Sequence, residues 1–318
     1  MHGIVEKMRG KPSPCMFYPA IKKCGFSVEE ALRDAVKQAE VLNYIDRNYR
    51  FGAVIRMTEL WCEGESLGAS VTFSDRDFPK VDRAVFDDAE ELAKIVVPNV
   101  INRTTEPLLE AVKLAAPNMT KPLIVGVTGP YTLGAVLNGS SDFMMNCLSE
   151  PDSIHIFLQK ITLYLEQYIE EYKKVGADGV MIAEPMVSMI SPDMLEEFSN
   201  DYIKKLIHKL QDDQFAVIYH NCGPVTPYLA SIMSLKAVAF HFGSDVDLEK
   251  ALALAPADTA IMGNIEPQMF LRRNAGRIRE KVGELRERFG ADGRLILSTG
   301  CDLSPAADEE SIEALNIK

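Results

Sequence analysis

The sequence has no block of basic residues and no long apolar run, and each absence excludes a class of protein. Its 318 residues include 34 Lys or Arg and 46 Asp or Glu, which leaves a net charge of −12 at pH 7. Clustered Lys and Arg neutralise nucleic-acid phosphates, so we expect no nucleic-acid partner. No apolar segment approaches the roughly 20 residues that span a membrane, and the N-terminus lacks the apolar stretch of a secretory signal. The sequence therefore predicts a cytoplasmic protein without a membrane partner.

Cysteine is also sparse, and its spacing does not indicate a disulfide framework. The six cysteines are scattered along the chain at Cys15, Cys24, Cys62, Cys147, Cys222 and Cys301. In a long chain without a secretory signal, this pattern favours free thiols or metal ligands in a reducing compartment. A Walker loop and a G-x-G-x-x-G motif after a strand are missing as well, so nothing supports nucleotide binding.

What the sequence does contain is a regular alternation of short apolar runs with longer amphipathic segments. The apolar runs cover 53–57, 122–127, 179–183, 215–219, 237–240, 259–262 and 294–297. Such continuous runs are typical of parallel strands buried on both faces, joined by helical crossovers. We predict an α/β fold, a (β/α)8 TIM barrel that forms a single domain over 1–318, with a helical lead-in over 1–50. A doubly wound sheet is the alternative. The candidate for the eighth strand is 70–73, but this segment also fits a hairpin strand beside the first strand, so the eighth strand is not assigned.

Helix-start signals place the segments between the strands. Ser27 and Glu30 form a capping-box pattern that predicts a helix up to about Asn48, and a second start lies at 87–90. Further helices are predicted over 152–175, 191–210, 224–234 and 267–289.

Polar residues follow the apolar runs at the points where the predicted strands end. Barrel enzymes place their catalytic residues at the C-terminal ends of strands, so we expect these side chains to share one rim. In chain order they are Thr58, Glu59, Thr128, Glu184, His220, Cys222, His241, Asn264, Glu266, Cys301 and Asp302.

His220 and Cys222 form the sharpest of these patterns. Residues i and i+2 at an extended strand end point to the same side, and an imidazole and a thiolate at that spacing can bind one Zn2+. Cys301 can join them because it ends another strand of the same barrel. Three protein ligands and one open position are typical of a catalytic zinc site. The alternative is that both cysteines are small buried hydrophobes, and spacing alone does not decide between the two.

The other rim residues each allow two interpretations. Glu184 follows a wholly apolar run, and burying an unpaired carboxylate is energetically costly. Glu184 therefore either has a functional role at the rim or pairs with an Arg such as Arg56. Glu59 is interpreted in the same way. His241 is either a core histidine or a pocket residue.

The segments after the first two strands offer weaker signals. Glu63 and Glu65 are expected to be solvated. The turn at Gly129 and Pro130 either starts a helix or forms a pocket wall whose backbone amides hold an anion.

Taken together, several motifs resemble the uroporphyrinogen decarboxylase superfamily, and within it the corrinoid-dependent methyltransferases of the methylcobamide:coenzyme M type. The resemblance runs from about residue 26 to the C-terminus and includes 63–68, 127–133 and 176–184. Its most specific parts are Tyr-His-Asn-Cys-Gly-Pro at 219–224, Gly-Asn-Ile-Glu-Pro at 263–267 and Ser-Thr-Gly-Cys-Asp at 298–302.

The resemblance implies a barrel enzyme that transfers a methyl group from a methylated corrinoid (methylcobamide), carried by a partner protein, to a small thiol such as coenzyme M. The zinc ligands it implies are His220, Cys222, Cys301 and Glu184. The catalytic carboxylates would be Glu184 and Glu59. The side chains expected to line the substrate pocket are Asn264, Glu266, His241 and Thr128.

The sequence departs from the family patterns in three places, and these departures leave alternative functions open. Glu59 stands where Asp is usual, and His241 stands in a region that is more often acidic or small. The Arg-rich substrate motif of the decarboxylases has no counterpart at 14–19. A metal-free decarboxylase and a non-catalytic binder of a corrinoid partner are the alternative functions. The thiol and the oligomeric state stay open, with a homodimer as one option.

Overall fold

A computed structural model of the protein describes residues 1–57, 61–271 and 273–316. Over these residues the strands are β1 (Val54–Arg56), β2 (Val71–Thr72), β3 (Lys80–Val81), β4 (Leu123–Thr128), β5 (Gly179–Ala183), β6 (Ala216–Asn221), β7 (Ala239–Phe242), β8 (Ala260–Ile265) and β9 (Leu295–Thr299). Strands β1 and β4–β9 form one parallel sheet in chain order. Each predicted apolar run overlaps one of these strands, which confirms the α/β barrel.

Helices cover the outside of this sheet. The α-helices are α1 (Gly3–Met8), α2 (Phe17–Lys23), α3 (Val28–Arg33), α4 (Ala35–Asn48), α5 (Trp61–Ser66), α6 (Ala89–Ala93), α7 (Glu106–Ala115), α8 (Pro130–Asn138), α9 (Ser140–Ser149), α10 (Pro151–Lys174), α11 (Pro192–Leu195), α12 (Asp201–Leu210), α13 (Leu229–Met233), α14 (Leu248–Leu254), α15 (Ala275–Phe289) and α16 (Glu309–Glu313). In the described part of the chain, none of these helices is both long enough and apolar enough to cross a bilayer.

Local capping chemistry accounts for where several helices begin. The predicted capping box of Ser27 and Glu30 is present at the start of α3. The helix predicted up to Asn48 is interrupted, however, because the Asp34 side chain accepts hydrogen bonds from the backbone N–H groups of Val36 and Lys37 and starts α4. An N-cap carboxylate satisfies amides that have no partner within the helix, so a new helix begins there.

The N-terminal segment 12–15 lies between β1 and β9 and occupies the eighth position around the sheet. Cys15 pairs in parallel with Ile55 of β1, and the Ser13 N–H donates to the carbonyl of Leu297 in β9 over 2.8 Å. The helical lead-in predicted over 1–50 is present as α1 to α4, but the segment 12–15 within it is extended rather than helical. The alternative for 70–73 was a hairpin strand beside the first strand. This pairing is wrong, because β2 pairs with β3 in a separate two-stranded sheet.

The strands alternate between a face toward the helices and a face toward the barrel interior. The buried side chains packed in the interior include Ile55, Ile124, Met181, Ile218, Ala239, Met262 and Ile296. Side chains at i and i+2 of a strand share a face. Thr128, His220, His241 and Ser298 therefore continue the interior face at the C-terminal ends of their strands.

Candidate metal centre

Three side chains with metal-binding atoms meet at the C-terminal ends of β6 and β9. The ligand atoms of His220, Cys222 and Cys301 all lie within 4.8 Å of one another, and the Cys301 Sγ is 3.7 Å from the His220 Nε2. Two ligands at a tetrahedral angle around zinc, with bonds of about 2.1 Å to nitrogen and 2.3 Å to sulfur, are about 3.6 Å apart. The three residues therefore fit a tetrahedral zinc ion that keeps one position for another ligand.

Contacts of the Asn221 side chain and of Gly243 shape the turn that holds Cys222. The Asn221 side chain donates to the carbonyl of Glu184 and accepts the Gly223 N–H over 2.8 Å, which shapes the turn around Cys222. A Cβ atom at Gly243 would lie 2.3 Å from the carbonyl oxygen of Cys222. Only glycine allows this approach, so the loop after β7 can pack directly on the turn that holds Cys222.

The electrostatic environment favours a metal-binding form of Cys222. A hydrogen bond from Cys301 outweighs burial and lowers the pKa of the Cys222 thiol to about 4. The thiolate is the form of cysteine that binds metals. At neutral pH this position therefore supplies a charged sulfur ligand.

His241 lies directly behind His220 and is fully buried. Its Nδ1 is 2.7 Å from the His220 Nδ1, and its Nε2 is 2.9 Å from the Ser298 hydroxyl. Burial lowers the pKa of His241 well below its usual value. On the interior face its ring contacts His220 and Ser298, and it also hydrogen-bonds the backbone of Thr299.

Glu184 is fully buried, and its carboxylate accepts hydrogen bonds from the start of α8. The backbone N–H groups of Tyr131 and Thr132 donate to its two oxygens over 3.0 and 2.8 Å. A Cβ atom at Gly129 would lie 2.4 Å from the Glu184 Cδ, so this turn needs a glycine to accommodate the carboxylate. The amides expected to hold an anion therefore hold a side chain of the same protein. Burial raises the pKa of Glu184 to about 7.

Arg56 is not the partner of Glu184, so that alternative is wrong. The buried Arg56 guanidinium donates instead to the Gln38 side chain, to the carbonyl of Leu108 and to the Tyr172 hydroxyl. The role of Glu184 as a zinc ligand stays a prediction, and it would require the carboxylate to leave the amides of α8.

The other predicted pocket residues occupy different places. Glu59 lies outside the described residues. The Thr128 hydroxyl faces the barrel interior and donates to the Glu63 carboxylate over 3.0 Å. Asn264 donates to the carbonyl of Val246 over 2.9 Å, which fastens the loop after β7. Glu266 is exposed, and with Asn264 it lines a cavity of about 340 Å3 to which none of the three clustered metal-binding residues contributes.

Glu63 is a candidate functional residue that the sequence did not reveal, and its predicted solvation is wrong. It is fully buried in the first turn of α5, and among the described residues its Oε1 has no hydrogen-bond partner. Burial raises the pKa of this carboxyl to about 7. The signal that could have found it is its place in 63–68, one of the segments that carry the family resemblance.

Comparison with known proteins identifies the family of the chain. A family model described as uroporphyrinogen decarboxylase (URO-D) matches residues 8–316. The chain belongs to the URO-D family. Among curated URO-D relatives, a uroporphyrinogen decarboxylase of Protochlamydia amoebophila is 23% identical over 84% of this chain and 74% of its own length. The methylcobamide:CoM methyltransferase MtbA of Methanosarcina mazei is 25% identical over 88% of this chain and 83% of its own length.

Solved structures show the same barrel fold. A methyltransferase from Methanosarcina mazei superimposes with a TM-score of 0.83 at 21% identity, covering 96% of this chain and 92% of its own. A B12-independent methionine synthase from Shewanella is more distant, with a TM-score of 0.59 at 13% identity over 88% and 86% of the two chains. These likenesses confirm the fold. Because relatives with two different names match at similar identity, the choice between activities depends on the site residues.

Replacing Glu63 with glutamine is expected to change how stability depends on pH. The carboxyl ionises at a pKa of about 7 when folded and at an ordinary 4.5 when unfolded. The unfolded state therefore loses its proton first, and stability falls as pH rises between these values. Between pH 5 and 8 this single group should lower the free energy of unfolding by about 2 to 3 kcal/mol, and Glu63→Gln should remove that loss.

Chemical denaturation at pH 5, 6, 7 and 8 measures the difference. Glu63→Gln keeps an oxygen that can accept the Thr128 proton, and Glu184 titrates equally in both proteins. The exposed Glu287 on α15 offers a matched control, since Glu287→Gln should retain the wild-type slope. Equal slopes for wild type and Glu63→Gln would contradict the assignment of a buried, proton-retaining Glu63.

Proposed function

We propose that this URO-D family member is a zinc-dependent methyltransferase. It would move a methyl group from a methylated corrinoid, carried by a partner protein, to a small thiol such as coenzyme M. The observation on which the proposal rests is the convergence of His220, Cys222 and Cys301 with ligand atoms within 4.8 Å. The named methyltransferase among the relatives supports the choice of reaction.

His220, Cys222 and Cys301 would hold the zinc ion through one nitrogen and two sulfur atoms. Zinc in this place would act as a Lewis acid that binds the acceptor thiol and lowers its pKa. The two cysteine thiolates contribute two negative charges, which balance the charge of the dication. The acceptor sulfur therefore keeps the electron density that a nucleophile needs. The half-buried cysteines leave an approach to the centre from the barrel mouth.

The group transfer is a displacement at the methyl carbon. The acceptor thiol first loses its proton, and its sulfur then bonds to the methyl carbon of the methylated corrinoid. The cobalt–carbon bond breaks and its electron pair stays on cobalt, which goes from Co(III) to Co(I). The corrinoid supplies the reactive methyl group, and the barrel supplies orientation.

The predicted carboxylate roles belong to this proposal. Glu184 would accept the proton of the acceptor thiol or complete the zinc shell before the thiol arrives, and Glu59 is the second proposed catalytic carboxylate. Thr128, His241, Asn264 and Glu266 were expected to bind substrate. Of these, Thr128 and His241 share the interior face with His220, so their positions favour a role near the centre.

A metal-free decarboxylase is the second candidate, because a relative named uroporphyrinogen decarboxylase matches over most of the chain. That reaction would leave the clustered His220, Cys222 and Cys301 without a use. A non-catalytic partner of a corrinoid protein is a third candidate, and it predicts binding that does not depend on Cys222. We also propose a cytoplasmic location for the methyltransferase, in which the cysteine ligands stay reduced.

The zinc content of the purified protein tests the centre. We expect close to one zinc per chain by elemental mass spectrometry, and loss of zinc in the His220→Ala/Cys222→Ser double variant, because two of three ligands are gone. Cys147→Ser is the matched control: Cys147 is buried on α9, outside the cluster, and should leave the content unchanged. Absence of zinc, or zinc retained by the double variant, would overturn the centre.

The reaction is tested by demethylation of methylcobalamin with a panel of thiols, followed by its visible spectrum. We expect thiol-dependent demethylation by the wild-type protein and a decrease of about 100-fold or more in Cys222→Ser, because Lewis-acid stabilisation worth several kcal/mol is lost. Cys147→Ser should match wild type. Decarboxylation of a carboxylated tetrapyrrole by zinc-free protein, with no thiol-dependent demethylation, would instead establish the decarboxylase.

A further inference from the structure

We propose that His241 is a positioning residue that holds His220 in the tautomer whose Nε2 can bind zinc. The proposal rests on the proposed zinc centre. It goes beyond that centre because it assigns a function to a residue that is not one of the three clustered metal-binding residues. It replaces a substrate-binding role for His241 with one that acts through His220.

A continuous line of polar contacts leads away from the cluster through the barrel interior. The His220 Nδ1 contacts the His241 Nδ1 at 2.7 Å, and the His241 Nε2 contacts the Ser298 Oγ at 2.9 Å. The Ser298 hydroxyl donates to the backbone carbonyl of Ser13 over 2.7 Å. Register explains the alignment, since His220 and His241 are paired residues on neighbouring strands β6 and β7.

The donor and acceptor in each of these hydrogen bonds can be assigned by starting from the contact between the Ser298 hydroxyl and the Ser13 carbonyl. A carbonyl oxygen only accepts, so the single hydroxyl proton of Ser298 must point to Ser13. The Ser298 Oγ then accepts from the His241 Nε2–H. A neutral imidazole has one N–H, and charging a fully buried ring without a carboxylate beside it would be costly. The His241 Nδ1 therefore carries a lone pair.

The same reasoning fixes the proton on His220. Its Nδ1 faces the lone pair of His241 and also lies 3.2 Å from the backbone carbonyl of His241, another group that only accepts. Both neighbours require an N–H at the His220 Nδ1. In the neutral ring, the lone pair of His220 is then on Nε2, the atom that lies 3.7 Å from the Cys301 Sγ.

This arrangement prepares His220 for a metal in two ways. In the neutral ring, the nitrogen that would bind zinc is the unprotonated one, and the ring is held on its other side by two acceptors. Metal-binding histidines generally need such a partner on the second nitrogen, and its removal costs about 10- to 100-fold in metal affinity. Here the partner is an imidazole, and its own orientation is set by Ser298 and Ser13.

Nuclear magnetic resonance of zinc-free protein labelled with 15N histidine tests the proton arrangement directly. The chain has five histidines, and the variants at 220 and 241 assign the two rings. Nitrogen shifts distinguish the tautomers, and we expect a proton on Nδ1 of His220 and on Nε2 of His241. A proton on Nε2 of His220 would overturn the proposal, whatever the protein does with zinc.

Zinc affinity, measured by competition with a chromophoric chelator, tests the consequence. His241→Phe keeps a ring but offers no acceptor, so we expect zinc binding to weaken by about 10-fold, the lower end of the range, because the carbonyl of residue 241 remains. His241→Asn places an amide oxygen near the position of Nδ1 and should stay within about threefold of wild type. His155→Phe, at a partly exposed histidine on α10, is the matched control and should not change affinity.

The outcomes separate this proposal from the proposed function. Wild-type zinc affinity in His241→Phe, or equal losses in His241→Phe and His241→Asn, would show that the ring only fills space. Failure of the wild-type protein to bind zinc would refute the zinc centre, while the NMR result would still decide the tautomers. Thermal unfolding of the zinc-free forms shows which variants fold. If His241→Phe does not fold, two other measurements test the proposal: the tautomers of the wild-type protein and the zinc affinity of Ser298→Ala. We expect Ser298→Ala to bind zinc several-fold more weakly than wild type.

Discussion

The candidate metal centre depends on one geometric constraint, the curvature that brings the end of β9 to the end of β6. His220 and Cys222 belong to the end of β6, and Cys301 follows β9, three strands further along the sheet. In a flat sheet these ends would lie about 14 Å apart, given neighbouring strands about 4.8 Å apart. The segment 12–15 between β1 and β9 completes the ring, so the N-terminus helps to keep the metal-binding atoms within reach of one another.

Close backbone packing then converts this proximity into a defined site. Gly243 lets the loop after β7 contact the turn at Cys222, and Asn264 fastens the same loop from β8. Behind the cluster, His241, Ser298 and Ser13 link β7, β9 and the N-terminal segment 12–15 through hydrogen bonds. The centre is therefore held by contacts around the ring, and its zinc affinity and the stability of the barrel should be connected.

The sequence predicted the repeated parts of this structure well, because buried parallel strands require continuous apolar runs. It also indicated the cluster, since His220 and Cys222 share a face by strand periodicity and Cys301 ends a strand of the same barrel. Segment 12–15 was not predicted as extended, because its pairing with β1 and β9 depends on residues far away in the chain. The burial of Glu63 and the contact of Glu184 with α8 were missed for the same reason: a single glutamate does not reveal which distant backbone or helix will cover it.

Zinc K-edge X-ray absorption of the purified protein tests the central claim most directly, because it reports the atoms around the metal before and after the thiol is added. Without thiol, we expect two sulfur neighbours at about 2.3 Å and a nitrogen neighbour at about 2.1 Å, from Cys222, Cys301 and His220. Addition of an acceptor thiol should raise the sulfur count from two to three. A shell of nitrogen and oxygen only, or a sulfur count that does not change with thiol, would contradict a zinc centre that activates a thiol in this barrel.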